Sequence, residues 1–427
     1  MNKFLSNTAW MFLEKATTIV GGIFISVYVA RFLGPKDLGV INFYLSAVGL
    51  VIPLSQLGLP TLVFDKASKN TKLGIKIINS SYIVRNVIFF ILSTIIVIYS
   101  YVYSESNSDF IIAVGMIASA YFSSNNIYRT FFDTSLKSKY NAVSSQIGLI
   151  CSHLSRVLFV HMSLGVIYFT IPYIINSLVP YIIAKKKYVS MTKSIDTTKV
   201  SKKYKQSLYK SAIPLSLVAF STIVYVKINQ VMLGVYFSPY EVGLYSSAVL
   251  LAQGWSAINT ILVTSLLTKV FRERSKLIKL NGFSFIFLIT MAISFIFSTI
   301  IYFYGEDLIN ILFGPEFIVQ RGTLFSLSCA SFFSSWGLLA NRIIINHGGY
   351  KYVFIKTIFL GLLGVSLSSI LVQSLGIYGA ALSTLIIEFM GATLFTYLFK
   401  KANILKLQLE LLTSGVDYCI AACKSMR

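Results

Sequence analysis

Apolar runs long enough to cross a bilayer follow one another along this chain with little room between them. A bilayer core accommodates a helix of about 20 apolar residues. The runs cover approximately 8–30, 39–64, 80–101, 110–132, 143–162 and 165–184. After a basic linker come 212–234, 243–267, 282–304, 323–346, 353–373 and 377–399. In hydrocarbon every backbone N–H and C=O must be bonded within the protein, so runs of this length are helices. The expected fold class is all-α, a polytopic membrane protein with about twelve transmembrane helices. Composition agrees, since 56% of the 427 residues are hydrophobic and 12% are charged, against roughly 25% charged in soluble domains. Gly, Ser and Asn recur inside the runs, which suits close helix packing and a wet passage.

The first run carries Glu14 and Lys15 and ends in Arg31 rather than in a small-residue cleavage site. It is therefore expected to remain in the mature protein instead of being removed as a signal peptide. The formal net charge of +22 would suggest nucleic acid in a soluble chain. Here the basic residues gather in alternate gaps between runs, which is a membrane-orientation pattern. Lys66, Lys69, Lys72 and Lys76 fill the second gap, Lys137 and Lys139 the fourth, and the lysines from Lys185 to Lys210 the sixth. Lys269, Arg272, Arg274, Lys276 and Lys279 fill the eighth, and Lys400, Lys401 and Lys406 open the tail. The other gaps hold mostly acids, such as Glu105, Asp109, Glu241, Glu306, Asp307 and Glu316, or no charge. The positive-inside rule then places both termini in the cytoplasm, and no nucleic-acid partner is expected. Cys151, Cys329, Cys419 and Cys423 lack metal-ligand spacing, so neither a disulfide nor a metal site is expected.

The chain repeats itself. Phe32-Leu33-Gly34-Pro35-Lys36-Asp37-Leu38-Gly39-Val40 aligns without a gap on Tyr236-Phe237-Ser238-Pro239-Tyr240-Glu241-Val242-Gly243-Leu244. Ser163-Leu164-Gly165-Val166 likewise aligns on Ser374-Leu375-Gly376-Ile377. The reading is two six-helix halves, 1–184 and 212–399, joined by a basic cytoplasmic linker, 185–211, and followed by a cytoplasmic tail, 400–427. Six is even, so both halves enter the membrane the same way up, with a central cavity expected between them. The tail segment Ile404 to Leu412 has the alternation of a surface-lying amphipathic helix, with an unstructured tail as the equal alternative.

The segment Tyr28-Val29-Ala30-Arg31-Phe32-Leu33-Gly34-Pro35-Lys36-Asp37-Leu38-Gly39, with Leu57-Gly58-Leu59 and the later Leu312-Phe313-Gly314-Pro315-Glu316-Phe317, resembles the polysaccharide-biosynthesis flippases. These are O-antigen and capsule repeat-unit translocases of the multidrug, oligosaccharidyl-lipid and polysaccharide exporter superfamily. The resemblance implies a cargo of undecaprenyl-diphosphate-linked oligosaccharide, moved from the cytoplasmic to the outer leaflet of a bacterial inner membrane by alternating access. It implies no cofactor and no enzymatic activity. Besides the lipid-linked oligosaccharide and membrane lipids, it brings in a polysaccharide polymerase and chain-length machinery as candidate partners. A multidrug exporter of the same superfamily and a peptidoglycan-precursor flippase are the nearest rivals. A polymerase or glycosyltransferase would need a large external loop or soluble domain, and the longest external gap, about 305–322, leaves little room for one. No GxxxxGK[ST] loop for nucleotide phosphates occurs.

Ionisable residues inside spans are the candidates for function. Arg156 lies deep in the fifth run on a stripe with Gln146 and His153, Lys227 deep in the seventh beside Asn229, and Arg342 in the tenth on a stripe with Ser331, Ser335 and Asn346. These three, with Arg31 at the outer end of the first run, are the substrate-binding candidates, because arginine and lysine are the natural partners of a diphosphate. A structural ion pair or snorkelling is the competing reading for each. Glu14 and Glu388, the latter on a stripe with Thr384 and Gly391, are the ion-coupling candidates, the ion being a proton or sodium. Arg85, Arg129 and Asp65 lie near cytoplasmic ends, where headgroups are within reach, and Arg129 has Asp133 one turn on as an ion-pair partner. The orientation is tested by single cysteines. Those at Ser106 and Glu316 are expected to react with an impermeant thiol reagent in intact spheroplasts, and one at Thr197 is not; labelling at Thr197 alone would reverse the topology.

Overall fold

The computed structural model describes residues 3–104, 106–193, 202–272, 276–399 and 404–405, with the side chains of 3–20, 202–207, 268–269, 272, 276–278 and 280 left outside the description. The tail segment and much of the basic linker thus lie outside the described residues. Helix and short connections account for what is described, with no strand among the described residues. The helices are α1 (Lys3–Gln56), α2 (Leu59–Lys69), α3 (Thr71–Tyr103), α4 (Asn107–Asn125), α5 (Tyr128–Thr134), α6 (Ser138–His161), α7 (Thr170–Thr192) and α8 (Lys202–Tyr236). They continue as α9 (Pro239–Gly254), α10 (Ser256–Arg272), α11 (Lys276–Phe313), α12 (Arg321–Asn346), α13 (Tyr350–Ala392) and α14 (Leu394–Tyr397).

Among the described residues nine helices are long and apolar enough to cross a membrane, or ten if the pair α9 and α10, bent by 40° at Trp255, is one span. Two of the nine are broken at a glycine of positive φ. At Gly34 α1 leaves helical geometry with φ 75° and ψ 172°, and at Gly376 α13 does so with φ 56° and ψ −131°. Positive φ is cheap only for glycine, and Pro35 cannot donate a hydrogen bond back across the first break. Each of these helices therefore carries two of the apolar runs, one on either side of its glycine. The fourth run is likewise interrupted, between α4 and α5, at Asn126 and Ile127.

Helix faces are arranged for lipid. Along α3 the buried positions are Gly74, Ile75, Ile77, Ile78, Ser81, Arg85, Phe89, Ser93, Ile96 and Ser100, a stripe in which small and polar residues alternate with large apolar ones. The opposite face exposes Ile83, Phe90, Ile91, Ile95 and Ile98. In α12 the buried face includes Ser326, Ser328, Ser331, Ser335 and Gly337. Small side chains let backbones approach, and buried hydroxyls return their protons to carbonyls one turn back, as Ser331 does to Ser328 and Ser335 to Ser331.

The chain forms two compact units, Met1–Gly234 with Ser238–Gly243, and Val235–Phe237 with Leu244–Arg427. In the first, α1 packs on α3, α4 and α6, and α7 packs on α4 and α6. Leu62, Ile75, Ile78, Tyr128, Phe132, Tyr181 and Tyr188 form an apolar cluster in it. α8 is bound into this unit, with Ser216 Oγ donating to Pro53 O at 3.0 Å and Gly58 set against Ala212 and Ser216. In the second unit α12 packs on α11 and α13, around Val263, Leu267, Phe287, Ile343 and Phe399.

The repeated motifs meet each other. A Cβ at Gly39 would overlap the carbonyl of Pro239, and one at Gly243 would overlap the carbonyl of Pro35. The contact is reciprocal, so the two copies of the Pro-acid-Gly frame lie against one another backbone to backbone. Both glycines serve here for close approach. Gly39→Val and Gly243→Val are each expected to cost about 1–3 kcal/mol through overpacking, read as a lower Tm of the purified protein. Gly22→Ala, where a Cβ meets nothing within 4 Å, is expected to leave the Tm unchanged.

Candidate functional site

A cavity of about 760 Å³ opens in the first unit between α1, α4, α6, α7 and α8. Gln56, Ser119, Ser123, Asn126, Asn176 and Ser177 give it a polar lining, interleaved with Leu45, Val48, Ile52 and Pro180. Arg129 and Lys227 also line it, and no aspartate or glutamate does so among the described residues. Size and mixed lining are those of a ligand site, and its fixed charge is cationic.

Lys227 is held by its own helix. Its Nζ donates to Gln230 Oε1, three residues on, at 3.2 Å, and the same oxygen accepts from the Ser46 hydroxyl of α1. Gln230 is 6% exposed, so this acceptor is fixed by packing and points the ammonium at the cavity wall. Arg156 stands one layer back. It is 9% exposed, and its guanidinium lies over the ring of the cavity residue Tyr173, 4.5 Å from the centroid, a cation–π contact that partly offsets burial. Tyr173 is fixed in turn by Ser119 Oγ, which donates to its carbonyl at 2.9 Å.

Lys227 lines this cavity and Arg156 stands against its residue Tyr173, and Arg129, expected from the sequence to pair with Asp133, lines it too. Arg129 Nη1 donates to the cavity residue Ser145 at 3.4 Å. Asp133, the expected ion-pair partner, accepts from Ser138 and Asn141 at 2.7 and 2.8 Å. Arg342 belongs to the second unit and is exposed. Its stripe mates Ser331 and Ser335 are buried, so the stripe does not share one environment. Arg31 is exposed beside the Gly34 break. The side chain of Glu14 lies outside the described residues.

Arg85 corrects the snorkelling expectation. Its side chain is not at the surface but is 2% exposed, with Nη1 donating to Ser124 O at a long 3.5 Å and Nε without a partner. Proximity to a span end gave its depth along the membrane but not the direction it faces, and α3 turns it inward on the buried stripe. The same Ser124 carbonyl accepts from the cavity residue Gln56 at 3.3 Å. Asp65, on α2 outside the spans, does sit at the surface, where Lys69 at 3.1 Å and Lys66 at 3.4 Å hold its carboxyl below the usual aspartate range.

In the second unit Glu388 is half-buried on α13, on the far side of the Gly376 break from Lys356. Lys356 went unnoticed in the sequence because it falls only a few residues inside the eleventh run, where it reads as a flanking lysine. It is 5% exposed. The rule that flags any ionisable residue within a span would have found it.

This arrangement, a helical membrane fold of inward-facing polar stripes with a cationic cavity, is the class of architecture seen in polytopic transporters. The chain is similar in structure to a multidrug resistance MATE family transporter of the MOP superfamily in an inward-facing conformation, with TM-score 0.62 and 12% identity over 94% of this chain and 99% of that one. It is equally similar to the lipid II flippase MurJ in an inward closed conformation, with TM-score 0.62 and 17% identity over 97% and 93%. A MOP superfamily transporter from Pyrococcus furiosus, described as having a binding pocket of reversed polarity, gives TM-score 0.56 and 13% identity over 95% and 97%. No curated protein matches the sequence. The family model of polysaccharide biosynthesis proteins matches residues 4–270, and the chain belongs to that family.

Gln230→Leu is expected to strip Lys227 and Ser46 of their shared acceptor at a cost of about 1–3 kcal/mol. The check is a lower Tm for Gln230→Leu, partly recovered in the double variant Lys227→Met/Gln230→Leu.

Proposed function

We propose that this protein is a flippase for undecaprenyl-diphosphate-linked oligosaccharide repeat units of O-antigen or a similar surface polysaccharide. It moves them from the cytoplasmic to the outer leaflet of the bacterial inner membrane, with both of its termini in the cytoplasm. The observation that carries the reading is the cavity lined by Arg129 and Lys227 without an acid among the described residues. A cargo with an anionic diphosphate and many hydroxyls needs fixed cations and amide and hydroxyl partners in a low-dielectric setting. Gln56, Asn126 and Asn176 suit the sugars, and Arg129 and Lys227, backed by Arg156, suit the diphosphate. Membership of the polysaccharide biosynthesis family and the likeness in fold to a lipid II flippase support the same assignment. Counting the α1 and α13 segments on either side of their glycines as separate spans, and α9 with α10 as one, supports a twelve-span, six-plus-six layout.

A multidrug exporter would draw cations, and the cavity carries the same sign of charge as they do. Loss of the protein is expected to leave lipid-linked repeat units facing the cytoplasm while their synthesis continues. In proteoliposomes the purified protein is expected to move a lipid diphosphate oligosaccharide between leaflets. Expulsion of cationic dyes with no movement of that lipid would replace this reading by the exporter. Lys227→Gln, Arg129→Gln and Arg156→Gln are each expected to lower the flipping rate by about tenfold to a hundredfold, the worth of one charge-assisted hydrogen bond of roughly 1.5–3 kcal/mol. Membrane abundance measured alongside separates this loss from misfolding, and normal flipping in all three variants would refute the cationic site.

A further inference from the structure

The first unit buries a charge to which the proposed cargo site gives no task. Arg85 sits on α3 at 2% exposure, and a guanidinium stays protonated in proteins, so it cannot shed its charge to escape the cost of burial. Its fork of N–H donors is poorly used. Nη1 reaches Ser124 O at 3.5 Å, and Nε has no partner. No carboxylate forms an ion pair with it among the described residues. Asn125, next to Ser124 in the chain, is committed elsewhere, its amide donating to Asn86 Oδ1 at 2.9 Å and to Tyr121 O at 3.2 Å.

Helix capping does not account for this guanidinium. α4 ends at Asn125, so the Ser124 carbonyl is one of those that a helix end leaves without an intrahelical partner. Gln56 already donates to that oxygen at 3.3 Å, and does so with a neutral amide. A second donor that brings a full buried charge adds a large cost for one long bond. Such a charge is tolerable where an anion comes to meet it, and the guanidinium fork matches phosphate oxygens. The place is right for that. Gln56 and Arg85 meet on one oxygen, and Gln56, Ser123 and Asn126 line the cavity, so the guanidinium stands one residue behind its wall.

We propose that Arg85 is a further anion-binding residue, taking a phosphate oxygen of the cargo once the Gln56 amide turns away from Ser124. This rests on the reading of the cavity as a diphosphate site. It gives that site a guanidinium whose donors are uncommitted, whereas Arg156 is engaged by Tyr173 and Lys227 by Gln230. The protein then keeps an arginine that destabilises its resting fold because transport uses it, an exchange of stability for function. The sign of its effect on stability separates this role from capping. A cationic cap stabilises the C-terminus of α4, so losing it lowers stability. An uncompensated buried charge destabilises, so an unbranched apolar replacement raises stability.

The test measures thermal unfolding of purified full-length protein in detergent, with sodium pyrophosphate replacing sodium chloride at matched ionic strength. Movement of a lipid diphosphate oligosaccharide in proteoliposomes is measured beside it. In chloride, Arg85→Met is expected to unfold a few degrees above the intact protein. Pyrophosphate should raise the Tm of the intact protein by a few degrees and that of Arg85→Met by clearly less, with Arg85→Lys, which keeps the charge without the fork, in between. Arg85→Met should move the lipid about tenfold more slowly, the worth of one charge-assisted bond. A lower Tm for Arg85→Met in chloride, or its failure to fold, assigns the arginine to capping α4 and overturns the proposal. So does an intact protein indifferent to pyrophosphate, or an Arg85→Met protein that responds fully to it or moves the lipid at the normal rate. An intact protein that moves no such lipid refutes the flippase reading instead, and the Tm measurements then decide on Arg85 alone.

Discussion

The structure depends on hydrogen bonding between polar side chains and helices in a solvent that offers no substitute partners. Lipid tails are as apolar as leucine, so helix association in a membrane gains little from burying apolar surface and relies on packing and polar contacts. Asn259, fully buried in the second unit, shows this directly. Its amide donates to Ser294 Oγ of α11 at 2.9 Å and to Ser335 Oγ of α12 at 3.1 Å, tying α10 to both. In the first unit the Ser46–Gln230–Lys227 chain and the Ser216–Pro53 bond tie α8 to α1 in the same way.

The same constraint explains where the cations sit. A lysine or arginine at the centre of a span costs about 2.5–3.5 kcal/mol on insertion scales, and each deep cation here has a device that lowers the cost. Lys227 has an amide oxygen, Arg156 an aromatic face, and Lys356 two oxygen acceptors. Arg85 has the poorest set, one long bond to the Ser124 carbonyl with Nε unsatisfied. That carbonyl is shared with the cavity residue Gln56, which puts the least satisfied guanidinium one residue behind the cationic wall.

The repeated Pro-acid-Gly frame shows how one short motif serves two purposes. Within the first copy, Gly34 supplies the positive φ that turns the chain between two apolar runs. Between copies, Gly39 and Gly243 give up side chains so that backbone can touch backbone at Pro239 and Pro35. Duplication made the second use available, because a self-complementary contact needs the same frame twice. The other repeated pair diverged: Gly165 is extended with φ −64°, whereas the aligned Gly376 has φ 56° and bends α13.

The helical membrane class, the approximate limits of the spans and the cationic character were legible in the sequence, because each follows from local rules. Bilayer thickness sets run length, lipid forbids unpaired backbone, and hydropathy needs no tertiary context. The sequence also singled out Arg156 and Lys227, since an ionisable residue in an apolar run is expensive wherever it faces. It could not say which way a side chain points. Arg85 lies near a span end yet turns inward, Arg342 shares a helical stripe with buried serines yet is exposed, and Lys356 near the start of a run is buried among Asn341 and Thr396. Direction depends on which neighbouring helix supplies the small residue or the acceptor, and those neighbours are distant in sequence, as Gln230 is from Ser46. Local chemistry along the chain determined that this protein lives in a membrane and carries charge within it, while only the packing of helices from remote segments decided which charges line the cavity.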